Sequence, residues 1–219
     1  MRPREHYVQQ LEALHTEIRA LGQMVIVSIT RAIDALRRQD TAAAQRIKAD
    51  DQRIDQAQAA LEERALTIMA TQQPMAGDLR EIIAAIEIAS ELERIGDYAK
   101  AVAKITIRNA NQPLVMPLVD IPQIAEQAIN MLGNALDAYV HRDADAAHSL
   151  ASSDDQVDAL VAHVRADLLA AIQRDPTTAE RAIDLMFVAQ NLERIADRTT
   201  NIAERVIFMV KGDIVELNP

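Results

Sequence analysis

The feature that most constrains this chain is a stretch it contains twice. Leu92-Glu93-Arg94-Ile95-Gly96-Asp97 returns as Leu192-Glu193-Arg194-Ile195-Ala196-Asp197, one hundred positions later in a chain of 219 residues. The match runs without a gap from Ala89/Ala189 to Ala103/Ala203. Self-similarity at a fixed period fixes architecture before any local propensity does. A period of about half the length points to two related halves rather than a solenoid. We expect a first unit over 1–110, a connector over 111–120 and a second unit over 121–219.

The apolar pattern within each half is helical. Leu11, Leu14, Ile18, Leu21, Val25, Ile29, Ile33 and Leu36 recur at steps of three and four, the stripe of a helix from about Arg4 to Arg38. The same periodicity predicts helices from about Thr41 to Thr71, Asp78 to Asn109, Ile121 to His141, Ala144 to Gln173 and Thr177 to Val210. The stops are legible too: Asp40 or Thr41 as a cap, Gln73-Pro74, Asp175-Pro176-Thr177, and Gly212 after the last helix. Only five glycines and 2% aromatics leave little material for a turn-rich β protein. The fold class is therefore all-α, a tandem repeat of two antiparallel three-helix bundles with six long helices.

Charge and composition exclude several functions. A net charge of −10 disfavours nucleic acid as a partner and favours cations or a basic surface. The absence of cysteine removes thiolate zinc sites, iron–sulfur clusters and disulfides. Met1–Gln10 lacks the apolar core of a signal peptide, and no apolar run is long enough to span a bilayer, so we expect a cytoplasmic protein. The sequence has no glycine-rich phosphate loop, nucleophile elbow or zincin motif.

The chemistry lies in acidic pairs at i, i+4, a spacing that costs a helix about 0.2–0.5 kcal/mol per pair unless something compensates it. Glu93/Asp97 and Glu193/Asp197 occupy equivalent places, and Asp51/Asp55 and Asp154/Asp158 lie about one repeat apart, allowing a small insertion. Glu87/Glu91 and Glu180/Asp184 have the same spacing, but the repeat does not duplicate them. If neighbouring helices bring the duplicated pairs together, each half shows four carboxylates, a set that suits hard cations such as Mg²⁺, Mn²⁺, Ca²⁺ or Fe³⁺. The alternative is a solvated surface in which Arg94 and Arg194 neutralise Asp97 and Asp197 at i, i+3. Spacing alone leaves both open. Glu12-x-x-His15 and Asp145-x-x-His148 carry the acid-x-x-His spacing of di-iron carboxylate bundles, the basis for a di-metal enzyme or metal-storage reading. They fall in different halves, and their repeat counterparts have no histidine. His6, His141 and His163 add no further motif. Met75 and Met116, near turns, belong either to a partner surface or to the core.

These residues together resemble the PhoU family of bacterial phosphate-signalling accessory proteins. The resemblance spans nearly the whole chain and rests on Asp51-Gln-Arg-Ile-Asp55, Gln73-Pro74-Met75-Ala76-Gly77-Asp78-Leu79-Arg80, Leu92–Ala99 and Leu192–Asp197 followed by Asn201-Ile202-Ala203-Glu204. It implies metal, iron or zinc with Mg or Mn as further options, on Asp51, Asp55, Glu93 and Asp97 and on Asp154, Asp158, Glu193 and Asp197. It also implies a non-enzymatic negative regulator of the phosphate-starvation response, coupling the ATPase subunit of the phosphate ABC transporter to a sensor histidine kinase. A homodimer, and contact with the membrane only through partners, follow from the same resemblance. One departure carries a prediction: Lys104 stands where the second half has Glu204, so the first acidic site should hold metal more weakly.

Overall fold

A computed structural model describes residues 3–110, 112–116 and 118–218, with side chains from Tyr7 onward. Met1, Arg2, Asn111, Pro117 and Pro219 lie outside the described residues, so the connector is described only in part. The helices are α1 (Pro3–Arg38), α2 (Thr41–Gln72), α3 (Gly77–Arg108), α4 (Asp120–His141), α5 (Ala144–His148), α6 (Ala151–Arg174) and α7 (Ala179–Lys211). Among the described residues there are no strands. No helix of the described residues is long and apolar enough to cross a membrane.

The predicted stops act as their chemistry requires. Asp40 accepts the Ala43 N–H at 2.8 Å and caps α2, a contact worth about 1 kcal/mol. Gln73 turns into the left-handed region at φ 49°, which closes α2 ahead of Pro74. Asp175 accepts from Thr177 N at 3.0 Å and starts a 3₁₀ turn at Pro176 that leads into α7. Gly212, at φ +82°, ends α7 in a conformation that costs a residue without Cβ nothing.

One predicted element is divided. The apolar period runs unbroken from Ala147 through Leu150 to Val157, all buried, yet the helix separates into α5 and α6. The Ser149 and Ser152 hydroxyls bond to the carbonyls three residues back, at 2.7 and 2.9 Å, and Leu150 N–H takes Ala147 O at 3.2 Å. Serine competes with the helix for its own backbone groups, and side-chain periodicity does not register such a local tightening. Of the two methionines near turns, Met75 is exposed whereas Met116 packs on the core; Ile183, within the apolar period of the last helix, is exposed.

Helices α1, α2 and α3 pack on one another, as do α4 to α7. Across the halves α3 lies against α7 and α1 against α4. Buried side chains from both halves form one continuous cluster, so the halves share apolar burial, the dominant favourable term in association. The α3–α7 seam is antiparallel: Glu87 pairs with Arg205 at 3.2 Å, Glu91 with Arg198 at 3.5 Å, and Glu91 accepts from Asn201 at 3.3 Å. At one end the buried Asp184 receives Arg108 Nε and Asn109 Nδ2, both at 2.8 Å. At the other the buried Glu81 of α3 meets Arg142 from the end of α4 and lies 2.8 Å from His15 of α1. Burial pushes the Glu81 carboxyl up, but His15 and Arg142 more than offset this and hold it below its usual range. Glu87, Glu91 and Asp184, acids outside the duplicated pairs, thus join the halves.

Candidate functional site

The duplicated acids lie on facing helices. In the first half Asp51 and Asp55 of α2 face Glu93 and Asp97 of α3. Gly96 permits the approach: a Cβ there would lie 3.1 Å from Ile54 Cδ1 and 3.9 Å from an Asp51 oxygen. Asp51 is buried, Glu93 half-buried, and Asp55 and Asp97 exposed. Burial raises the Glu93 carboxyl above its usual range, and the charges of Asp97, Asp55 and Asp51 add to the effect. Glu93 therefore feels the other three carboxylates.

A cation from the chain already occupies this site. The Lys100 ammonium is paired with Asp51 and lies 3.1 Å from Asp97. Burial still outweighs it, and Asp51 titrates above its usual range. Lys104, predicted to compete with metal, is exposed and makes no ion pair among the described residues. The lysine that enters the quartet is Lys100, one helical turn beyond the motif. The sequence offered the signal, since its repeat counterpart is Thr200.

The second half arranges the same acids without such a cation. Asp154 is 3% exposed, and its Oδ1 has no hydrogen-bond partner. Asp158 is exposed, while Glu193 and Asp197 are half-buried. Burial, followed by the charges of Asp197, Asp158, Asp155 and Glu193, pushes the Asp154 carboxyl up to about 7. Burial and the neighbouring acids raise Glu193 and Asp197 as well, against the pull of Arg165 and Arg194 on Glu193 and of Arg198 and Arg194 on Asp197. Among the described residues a neutral group enters, the amide of Asn218, whose Nδ2 donates to Asp154 Oδ2 at 2.7 Å and Asp197 Oδ1 at 3.2 Å.

The arginines of the motifs do not close i, i+3 pairs with the aspartates. Arg94 turns back to Glu91 at 3.2 Å, and Arg194 lies over the Tyr98 ring at 5.9 Å. The motif arginines thus act on the acids at longer range rather than through i, i+3 contacts. Neither quartet brings three ligand oxygens within 4.8 Å of one another. Among the described residues, the group that tight is Asp120, His163 and Asp167, where α4 meets α6. His163 Nδ1 is 3.1 Å from Asp120 Oδ2. Sequence reasoning passed over His163, although His163 and Asp167 are spaced i, i+4 on one helix face. The acid-x-x-His motifs are otherwise engaged: His15 lies against Glu81, and Asp145 pairs with Lys211 at 2.8 Å.

The PhoU domain model matches residues 18–106 and again 121–206. This chain belongs to the PhoU family. Both matched stretches contain one acidic quartet each. Among relatives, the phosphate-specific transport system accessory protein PhoU homolog of Clostridium acetobutylicum is 34% identical, covering 98% of this chain and 99% of its own length. The homolog of Rhizobium meliloti is 35% identical over 93% of this chain and 86% of that protein. The crystal structure of PhoU from Pseudomonas aeruginosa superposes with a TM-score of 0.89 at 33% identity, covering 94% of this chain and all of the other. The phosphate transport system regulatory protein PhoU of Streptococcus pneumoniae gives the same TM-score at 27% identity, over 96% of this chain and 99% of the other. The PhoU-like fold expected from the residues is the fold observed.

Proposed function

We propose that this chain is an accessory regulator of phosphate transport, and that it restrains the phosphate-starvation response when phosphate is plentiful. The observation that carries this reading is the match of PhoU domains to both halves, with relatives named as phosphate-specific transport accessory proteins along almost the full chain. In this reading the protein is a non-enzymatic cytoplasmic adaptor, working as a homodimer between the transporter ATPase and a sensor histidine kinase. It reaches the membrane only through those partners.

The acidic quartets are proposed to hold multivalent cations, iron or zinc or else Mg²⁺ or Mn²⁺. The donor set is all oxygen, which favours the harder ions. The fit differs between halves. Asp154 offers a buried oxygen with no partner, whereas Asp51 already faces Lys100. Asp154, Asp158, Glu193 and Asp197 would therefore hold a cation more tightly than Asp51, Asp55, Glu93 and Asp97. A bound cation would compensate the like charges and stiffen α6 against α7.

The test is a starvation-gene reporter, in phosphate-rich medium, in a strain lacking this gene. High expression that returns to baseline on complementation supports the regulatory reading. Variants of the eight acids in the same strain then ask whether cation sites matter. Unchanged repression together with unchanged phosphate uptake overturns the reading.

A further inference from the structure

After Gly212 the chain reverses and runs back along α7 toward the second acidic quartet. Val215 and Leu217 pack against the core, and the Leu217 N–H donates to Glu204 Oε1 at 2.8 Å. Asn218 then places its amide between Asp154 and Asp197. Glu204 anchors the segment, while its repeat counterpart Lys104 makes no such contact. Each half thus fills its quartet from its own chain, but with different groups. Lys100 is a charged occupant fixed on α3. Asn218 is a neutral one, carried on a segment without helix or strand.

The difference has a physical consequence. An amide donates hydrogen bonds but carries no positive charge, so the second quartet has no internal counter-ion of the kind Lys100 supplies to the first. Nδ2 lies where it bridges two carboxylates, and a cation drawing those oxygens together would claim the same lone pairs. We propose that Gly212–Asn218 is a latch on the second acidic site: a divalent cation and the tail compete for it, and cation binding releases the tail. This rests on the cation reading above. It adds that occupancy is coupled to a conformational change, because release uncovers Val215 and Leu217. Apparent affinity falls by the fraction of molecules whose site is covered. A tail closed in about nine-tenths of molecules weakens binding about tenfold.

The experiment is titration of the full chain with Mn²⁺ alone, in a Glu93→Ala background that disables the first quartet. Asn218→Ala removes the occupant, and Leu217→Ala loosens the anchor at a distance from the acids. Both are expected to tighten Mn²⁺ binding about tenfold, and saturating Mn²⁺ is expected to speed hydrogen exchange at the Leu217 amide in the unaltered tail. Weaker binding in both variants would make Asn218 a ligand and overturn the latch. Unchanged affinity with Leu217 still protected overturns it as well, and leaves the cation site standing if Glu193→Ala abolishes binding. No Mn²⁺ binding in any variant overturns the cation reading and the latch with it.

Discussion

Replacing Lys100 by threonine, the residue at the matching place in the second half, removes the internal cation of the first acidic site. The contact with Asp97 is half-exposed, and surface pairs of that kind contribute about 0–1 kcal/mol. Asp51 dominates, at 3% exposed. Stripping the partner from a buried charge costs about 3–5 kcal/mol. Lys100 is itself one-quarter exposed, so water screens part of the pair, and we expect Lys100→Thr to lose about 2 kcal/mol at pH 7.5 in EDTA. For a chain of this size that is a fall in Tm of about 4–8 °C. The sign with pH follows from the acid. Burial holds Asp51 above its usual range, and removing Lys100 raises it further, so the folded state binds this proton more tightly than the unfolded state. Acidification through that range therefore returns stability, and the deficit relative to the parent shrinks toward pH 4. Mn²⁺ should restore the neutral-pH Tm of the variant more than it raises that of the parent, because the variant lacks the ammonium that competes for the site. Urea and thermal unfolding at pH 4 and pH 7.5, with and without Mn²⁺, measure all three effects. A loss below about 0.5 kcal/mol at neutral pH, or an equal deficit at both pH values, would refute the assignment of Lys100 as the occupant.

Asp154→Asn keeps an oxygen that accepts from Asn218 but has no charge to bury. The parent holds a proton on Asp154 up to about pH 7, so it loses stability as pH rises from about 4 through 7. Denaturation in EDTA should find the variant flatter over this interval and about 1–2 kcal/mol more stable at pH 8, after allowance for solvent screening; a variant less stable than the parent at pH 8 would contradict this. Arg142→Asn tests the seam at Glu81, with a residue that tolerates the φ of 55° found there. It should cost about 2–3 kcal/mol, more than the roughly 1 kcal/mol of Glu81→Gln, because only the first leaves a buried carboxylate short of its partner. Urea unfolding that ranks the two in the opposite order would argue against the Glu81–Arg142 pair as a buried clamp.

Much of the architecture was determined by sequence alone, because its signals are local or periodic. The three- and four-residue apolar steps place the long helices, and Asp40 and Gly212 place their ends. The hundred-residue repeat relates Glu93 and Asp97 to Glu193 and Asp197, and a small insertion brings Asp51 and Asp55 into line with Asp154 and Asp158. Tertiary structure decided what those acids touch. Lys100 rather than Lys104 enters the first quartet because its position on the turns of α3 aims it at α2. The break between α5 and α6 depends on two serine hydroxyls that side-chain periodicity cannot weigh. Glu91 and Asp184 meet partners more than seventy positions away only once α3 lies antiparallel to α7. Asn218 reaches Asp154 across 64 positions by a reversal at Gly212. Helix formation needs only neighbours in the chain, whereas the charge state and occupancy of a buried carboxylate depend on which distant groups packing brings within a few ångströms.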